Sequence, residues 1–275
     1  MSDSPQPRSI RAVAYNQVPE SENAIHSDEV AKQHGFRGGL VPGVTVSAYL
    51  ADPGVRAWGR DFLQRGRAQV VVEKPLYDGD DFEVKVLEAG SDFYEAELHG
   101  SDAVLCARGR FELPVQTPEA PTRRGDRRAV RREERPAVSR EVFDQLRAEG
   151  MGWVKARWED DHAMRLYFRH EAAMPEVLRP SGGGLANLGF VLGMTNWVLA
   201  ANVKLGPWLH LQTESQCYAA IESGQELIVE AAVVDLFERK GHAFVDLDVA
   251  AFVQPEDRAV MSARLRAIYR LRGTA

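Results

Sequence analysis

Two long segments of the chain show the same order of hydrophobic and polar positions. Within residues 67–114, hydrophobic side chains occupy every second position of one stretch, at Phe82, Val84 and Val86. This period of two is typical of a strand with one buried face. Turns that contain glycine and aspartate separate the stretch from β-rich neighbours, so the segment predicts four antiparallel strands.

The second half of the chain repeats this pattern. Residues 215–271 again contain four β-rich stretches separated by turns, and Leu227, Val229, Ala231 and Val233 occupy alternate positions of one stretch. The equivalent turn glycines, Gly79 and Gly224, are 145 positions apart (224 minus 79). A repeat of this length indicates domain duplication rather than a solenoid of short repeats.

Each block of strands follows an apolar helical segment. The first covers residues 44–50, with an extension through residues 56–64, and the second covers residues 185–203. A helix followed by antiparallel hairpins is typical of an α+β layer, in which a sheet covers a helix. Leading strands are expected near residues 11–18 and 152–158. The predicted fold class is therefore α+β, with two antiparallel sheets that each wrap around a central apolar helix; edge strands that meet would join them.

The domain organisation follows from the repeat. We expect an N-terminal domain over residues 1–117, a linker over residues 118–138 and a C-terminal domain over residues 139–275. The linker holds three prolines and seven arginines, which favours a solvated, extended connector over a basic binding patch. A short helix should begin after a Ser139 cap and end at Gly150.

Composition excludes several classes of protein. The net charge of −6 argues against a nucleic-acid binder. The two cysteines lack a CxxC partner, no histidine spacing suits a metal, and no glycine-rich phosphate loop occurs, so neither a metal nor a cofactor is expected. The N-terminus is polar and resembles no signal peptide. Residues 185–203 contain several polar side chains and read as a buried helix rather than a membrane span, so we expect a cytoplasmic protein.

The candidate chemistry is concentrated in residues 22–44. His26 precedes a short helix that Ser27 or Asp28 can cap. Further along, glycines bring bare backbone to the start of the first apolar helix at Gly43. Backbone N–H groups at a helix start can polarise a carbonyl group, and a histidine opposite them can transfer protons near neutral pH.

This stretch resembles a known family. The residues 23–28, the Gly-Phe-x-Gly of residues 35–38 and the glycine that opens a helix are similar to the MaoC-like, (R)-specific enoyl-CoA hydratase/dehydratase branch of the hotdog superfamily. The resemblance implies a double hotdog and hydration or dehydration of an enoyl or 3-hydroxyacyl thioester. It assigns catalytic roles to His26, Asn23 and Gly43. The residues expected to contact the substrate are Ser21, Glu22, Asp28, Val41 and Pro42.

The sequence departs from the family pattern at three positions. Ser21 stands where the family has its catalytic aspartate, Ala24 replaces a proline, and Pro42 replaces a residue that is often histidine. A serine hydroxyl cannot act as a general base unaided. The second half lacks the Asn-x-Ile-His motif, so the resemblance implies a structural or substrate-shaping role for it.

Two alternatives to a hydratase remain open. One is an acyl-CoA thioesterase of the hotdog superfamily, for which Asn187, Thr45 and Asp52 are candidate residues. The other is a non-catalytic hotdog protein that binds an acyl thioester. A serine–histidine pair of Ser181 and His210 is disfavoured because no nucleophile elbow is present.

The expected partner in each case is a thioester of CoA or of an acyl-carrier protein, with no nucleic acid and no membrane. If the arginine-rich linker is a binding patch, its ligand would be the CoA diphosphate or the phosphopantetheine of a carrier protein. A homodimer of double hotdogs is a further expectation of the resemblance.

Overall fold

The strands form one antiparallel sheet in the computed structural model, which describes residues 6–159 and 161–273. The sheet contains ten described strands in the order β1-β3-β4-β5-β2-β7-β10-β9-β8-β6. Their bounds in the first half are β1 Ile10–Val13, β2 Arg67–Val72, β3 Asp81–Ala89, β4 Phe93–His99 and β5 Leu105–Glu112. Those in the second half are β6 Val154–Arg157, β7 Leu209–Cys217, β8 Glu226–Arg239, β9 His242–Val253 and β10 Arg258–Arg270.

The two predicted antiparallel sheets are joined into one sheet by the pairing of β2 with β7. These strands run antiparallel, with Arg67 opposite Gln216 and Val71 opposite Gln212. Each would otherwise be an edge with unpaired backbone groups, and joining the edges satisfies those groups. The result is a single sheet whose five strands from each half lie side by side.

Two long helices pack on this sheet as the apolar segments predict. Helix α2 (Gly43–Trp58) packs against strands of the first half, and α5 (Leu188–Asn202) packs against strands of the second. The two helices also contact each other. Gly189 of α5 lies so close to α2 that a side-chain carbon there would be 3.5 Å from the carbonyl oxygen of Val44. The other α-helices within the described residues are α1 (Asp28–Gln33), α3 (Arg60–Arg65) and α4 (Arg140–Glu149).

Helix α2 continues through Pro53, which lies between the two helical segments that the sequence predicts, residues 44–50 and 56–64. Proline has no N–H group and disturbs the hydrogen bonds of the preceding turn. The phenol of Tyr94, which is fully buried, repairs this turn: its hydroxyl donates to the carbonyl of Leu50 at 2.8 Å and accepts from the N–H of Gly54 at 3.2 Å. A side-chain hydroxyl thus bridges the carbonyl and the amide that a regular helix would pair directly.

The linker is anchored to the second half at several points. The N–H of Arg124 donates to the buried carboxylate of Glu230 at 2.9 Å, and the guanidinium of Arg123 lies between Glu230 and Asp257. Downstream, α4 confirms the predicted helix: Ser139 accepts a hydrogen bond from the N–H of Val142, and the chain turns at Gly150 with a φ of 92°. The linker is therefore an extended strap with buried attachments.

None of the helices within the described residues is both long and apolar enough to span a bilayer. The N-terminal residues 1–5, on which part of the signal-peptide prediction rests, lie outside the described residues.

The Tyr94 bridge predicts a stability effect. Tyr94→Phe leaves the carbonyl of Leu50 and the N–H of Gly54 buried without this partner, so we expect the free energy of unfolding to fall by about 1–3 kcal/mol. Urea denaturation followed by circular dichroism measures the change. Tyr218→Phe is the matched control, because it removes a half-buried hydroxyl that pairs with the hydroxyl of Ser262. Equal losses in the two variants would contradict a special role for Tyr94.

Candidate functional site

His26 is held in one orientation by its backbone and by its ring. It ends a short 3-10 helix, Ala24–His26, and its carbonyl accepts a hydrogen bond from the side-chain amide of Asn16 at 2.8 Å. Its Nδ1 lies 2.7 Å from the carbonyl oxygen of Leu40. A carbonyl can only accept, so Nδ1 carries the proton and Nε2 keeps its lone pair.

The charge of this imidazole is set by its surroundings. Burial lowers the pKa of His26 and outweighs the opposing effect of the Leu40 carbonyl, which raises it. The ring is therefore neutral near pH 7, and its Nε2 is available as a base.

The glycine-rich segment before α2 fits closely around the His26 loop. A side-chain carbon at Gly39 would lie 2.2 Å from the carbonyl oxygen of His26, so only glycine allows this approach. The N–H of Gly39 donates to the carboxylate of Asp28 at 2.8 Å, and the N–H of Leu40 donates to the carbonyl of Ile25. Asp28 thus helps to fix the segment that orients His26.

Asn23 connects this loop to the second half of the chain. Its amide nitrogen donates to the carbonyl of Trp208 at 3.0 Å, and its amide oxygen accepts from the N–H of Trp208 at 3.3 Å. The same amide nitrogen is 3.4 Å from Nε2 of His26. The side chain therefore clamps two distant segments together beside the imidazole.

The start of α2 contributes backbone donors. Among the described residues, no acceptor lies within hydrogen-bond reach of the N–H groups of Gly43 and Val44, the first two of the helix. The helix dipole adds positive potential at this end. A side-chain carbon at Gly43 would lie 2.9 Å from the carbonyl oxygen of His210, so glycine is required for the close approach of β7.

Two cavities meet at these groups. The narrow cavity has a volume of about 170 Å³ and the wide cavity about 520 Å³. Apolar residues dominate the wall of the narrow cavity: Ile25, Phe36, Leu40, Val41, Val46, Val72, Leu76, Leu209 and Leu211. The wide cavity is more polar and includes Arg132, Arg135 and Lys204. Four described residues line both cavities, namely Asn23, His26, Asn196 and Trp208.

Seven of the eight predicted site residues line these cavities. His26 and Asn23 lie where the cavities meet, Gly43 and Val41 line the narrow cavity, and the residues of the wide cavity are Ser21, Glu22 and Pro42. Asp28 lines neither cavity; its carboxylate is directed to the N–H of Gly39. The roles of all eight residues remain predictions.

No carboxylate hydrogen-bonds to His26 within the described part of the chain. Ser21 donates its hydroxyl to the carbonyl of Asn23 at 3.2 Å. The carboxylate of Glu22 is 2.9 Å from the guanidinium of Arg135, and this hydrogen bond is the main reason that the pKa of Glu22 is lowered. Glu22 is thus ionised and paired with Arg135 rather than with His26.

The residues considered for a thioesterase lie elsewhere. Asp52 is fully buried at the far part of α2, where it pairs with Arg56 and accepts from the hydroxyl of Tyr167 at 2.7 Å. Asn187 caps α5, and Thr45 bonds to Gln17. None of the three lines either cavity.

The second half was expected to shape the substrate site, but the sequence did not single out most of the residues that line it. Asn196, Trp208 and His210 line the narrow cavity, and His162 lines the wide one beside Trp197. Burial lowers the pKa of His210 to about 4 and also lowers the pKa of His162. In the sequence, the histidines could be noted as candidate functional residues. The residues around them do not indicate that they approach His26. No cluster of His, Cys, Asp and Glu suited to a metal occurs in the residues described.

Comparison with solved structures identifies the fold. A conserved protein of Mycobacterium tuberculosis with a double hotdog fold superposes with a TM-score of 0.56 and 13% identity, over 96% of each chain. The chain has a double hotdog fold. A MaoC domain protein from Chloroflexus aurantiacus gives a TM-score of 0.58 at 11% identity, over 97% of this double hotdog and 96% of that chain.

A MaoC-like dehydratase also superposes on this double hotdog, with a TM-score of 0.53 at 11% identity, over 96% of this chain and 98% of its own. At such low identities the similarity establishes the fold that the sequence motif implies. No protein-family model matches the sequence, and no curated protein matches it.

The buried neutral His210 predicts a pH effect on stability. The unfolded chain binds a proton to this histidine near its ordinary pKa of about 6.5, whereas the folded chain does so only near 4. Stability is therefore lost as the pH falls from about 6.5 to 4, by about 3 kcal/mol for this group. Urea denaturation across this pH range should show a smaller loss for His210→Asn than for the wild type. His34→Gln, a partly exposed position, is the control and should follow the wild type.

Proposed function

We propose that the protein hydrates or dehydrates an enoyl or 3-hydroxyacyl thioester, with His26 as the proton-transfer group. The observation that carries this proposal is that a neutral imidazole lines the same pair of cavities as a helix start whose first two N–H groups have no acceptor among the described residues. His26, whose Nε2 carries the lone pair and lies 3.4 Å from the amide nitrogen of Asn23, lines both cavities. Gly43 lines the narrow cavity and Val44 lines the wide one. A base and an oxyanion site are the two elements that addition of water to an enoyl thioester needs.

The reaction can proceed with a single base. Nε2 of His26 takes a proton from water while the water oxygen bonds to C3, and the electrons of the C2=C3 bond move towards the thioester carbonyl. The N–H of Gly43 stabilises the negative charge on the enolate oxygen. The imidazolium then returns its proton to C2, which completes the addition of water. Dehydration is the reverse sequence.

A one-base scheme also accounts for Ser21 in the position of the family's aspartate. Because no carboxylate of the described residues hydrogen-bonds to His26, the imidazole is not held as a cation, and burial keeps it neutral. A buried neutral imidazole can both accept and return the proton. Because no carboxylate among the described residues is available beside His26 to orient the water, we expect a lower turnover than at a site with two catalytic acid–base residues.

The narrow cavity indicates a short acyl group. Its volume of about 170 Å³ is close to that of an apolar cavity of ~150 Å³ that holds benzene. An acyl chain of about four to six carbons would fill a space of this size. Crotonyl-CoA is therefore the first substrate to test.

The decisive variant is His26→Ala. Loss of the proposed proton-transfer group should lower kcat/KM for crotonyl-CoA hydration by about 10²–10⁴-fold. The decrease in absorbance of the enoyl thioester measures the rate. The matched control is His34→Ala, which removes another histidine eight positions away (34 minus 26) that lines neither cavity. Undiminished hydration in His26→Ala would refute the proposal.

The same samples distinguish the two alternatives. A thioesterase would release free CoA, which a thiol-reactive dye detects, while the enoyl absorbance would fall at the same rate. A binding protein would retain acyl-CoA with neither change. The positions of Asp52, Asn187 and Thr45 away from the cavities argue against the thioesterase.

The charge of the wide cavity supports the proposal that the carrier end of the substrate, CoA or the phosphopantetheine of a carrier protein, binds there. Arg132, Arg135 and Lys204 give it a positive rim, and Glu22 neutralises only part of this charge. Arg132 remains about half exposed, so its guanidinium can reach a phosphate group. The arginine-rich linker would thus serve as part of the binding site as well as a connector.

Arg132→Ala tests this assignment. We expect KM for crotonyl-CoA to rise about fivefold, the factor that corresponds to ~1 kcal/mol for an exposed ion pair, with kcat unchanged. The N-acetylcysteamine thioester of crotonate has no phosphate, so its KM should not change. Arg140→Ala, on the exposed face of α4, is the control. An equal KM increase for both thioesters would contradict phosphate binding by Arg132.

Three further expectations belong to the same proposal. We expect the chain to act in the cytoplasm, to assemble as a homodimer of double hotdogs, and to divide into domains at residues 117 and 138. They follow from the family resemblance and the sequence repeat.

A further inference from the structure

Three polar side chains of the second half form a chain of hydrogen bonds that ends at the candidate site. Oγ1 of Thr213 lies 2.6 Å from Nε2 of His210, and Nδ1 of His210 lies 2.9 Å from Oδ1 of Asn196. Thr213 and His210 are buried at 1% and 8% exposure, whereas Asn196 is half-buried and borders both cavities. The chain therefore leads from the core of β7 to the meeting point of the cavities.

The direction of these hydrogen bonds is fixed by the protonation of the ring. His210 is neutral because burial holds its pKa at about 4, and a neutral imidazole has one N–H donor and one acceptor nitrogen. An amide oxygen can only accept, so Nδ1 donates to Asn196 and Nε2 accepts from the hydroxyl of Thr213. This arrangement leaves the NH₂ group of Asn196 turned away from His210, and no described residue accepts a hydrogen bond from it.

The same imidazole sets the distance between Asn196 and the start of α2. A side-chain carbon at Gly43 would lie 3.2 Å from Cβ and 3.3 Å from Cδ2 of His210, which is close packing. His210 thus touches the helix start on one side and holds the amide of Asn196 on the other. The imidazole of His210 therefore lies between two hydrogen-bond donors from different halves of the protein, the NH₂ group of Asn196 and the N–H of Gly43.

We propose that the NH₂ group of Asn196 donates a hydrogen bond to the thioester carbonyl oxygen, beside the N–H of Gly43, and that His210 and Thr213 are positioning residues for it. This inference rests on the proposed function, because it requires an acyl thioester in these cavities. It makes the site a composite to which the second half supplies a substrate-binding group.

Asn196→Ala is the first test. A donor that acts on the developing enolate oxygen supports the transition state more than the ground state. Loss of one such donor typically costs about 10²–10³ in kcat, so we expect kcat for crotonyl-CoA hydration to fall about 100-fold with KM changed less than threefold. Asn196→Asp should fall at least as far, because it replaces the donor with a carboxylate. Gln145→Glu makes the same chemical exchange on the exposed side of α4 and is the control.

The positioning role needs a separate readout. Thr213→Val removes the hydroxyl that fixes the His210 ring, and Thr213→Ser retains it. We expect kcat to fall about tenfold in Thr213→Val and to recover in Thr213→Ser, while circular dichroism spectra of both variants match the wild type. A role confined to packing predicts the opposite order, because valine conserves the shape of threonine better than serine does.

A spectroscopic measurement separates this inference from the proposed reaction. Butyryl-CoA labelled with ¹³C at the carbonyl cannot be hydrated, but it presents the same thioester to the site. Difference infrared spectra of the bound ligand should show the carbonyl band at lower frequency than in water, and Asn196→Ala should lose part of that shift. The measurement does not depend on turnover.

The outcomes are distinct. Hydration in the wild type together with unchanged kcat or an unchanged carbonyl band in Asn196→Ala would overturn the role of Asn196 alone. A carbonyl shift that depends on Asn196 in a protein without hydratase activity would overturn the proposed reaction and support the donor. Absence of any carbonyl shift in the wild type would overturn the inference.

Discussion

The backbone pairing of β2 with β7 is the constraint on which the candidate site depends. It joins the two halves into one sheet and fixes the register between them, with Val70 opposite Thr213. His210 lies near the start of β7, three positions before Thr213, and Trp208 lies immediately before the strand. A shift of one residue would turn His210 to the other face of the sheet and remove it from the cavity. The ladder of hydrogen bonds therefore determines which second-half side chains reach the first-half loop.

The site combines buried neutral groups with exposed charged ones. His26 and His210 lie in surroundings that disfavour the imidazolium, whereas Arg132 and Lys204 stand at the rim where water screens their charge. This separation suits a ligand with an apolar end and an anionic end. The distance of these charges from the ring also suits a base. A cation beside the imidazole would lower its affinity for a proton further, and an anion beside it would hold it protonated.

Local patterns in the sequence predicted most of the elements but not their assembly. Alternation and turn residues located the strands, and the Ser139 cap and Gly150 marked α4 correctly. The motif around His26 indicated both the fold and one wall of the site. The continuity of α2 through Pro53 was missed because it depends on Tyr94, a residue about 40 positions away that fills the gap in the helix.

The second-half residues of the site were beyond sequence reasoning for the same physical reason. Asn23 and Trp208 are 185 residues apart, and nothing near either residue indicates that they bond. Asn196 lies in a mostly apolar helix that also contains Thr195 and Asn202, and the sequence does not distinguish its amide from these other polar side chains. Only the folded chain shows that this amide faces a cavity and that an imidazole fixes its orientation.

The presence of both halves in one polypeptide has an evolutionary consequence. In an assembly of two identical subunits, every substitution appears twice, so a change that improves one pocket is imposed on its symmetry mate. A tandem chain is free of this coupling. Here the first half carries the histidine loop and the second half places the Asn196–His210 pair beside the same cavities, so the two halves contribute different groups rather than equivalent ones.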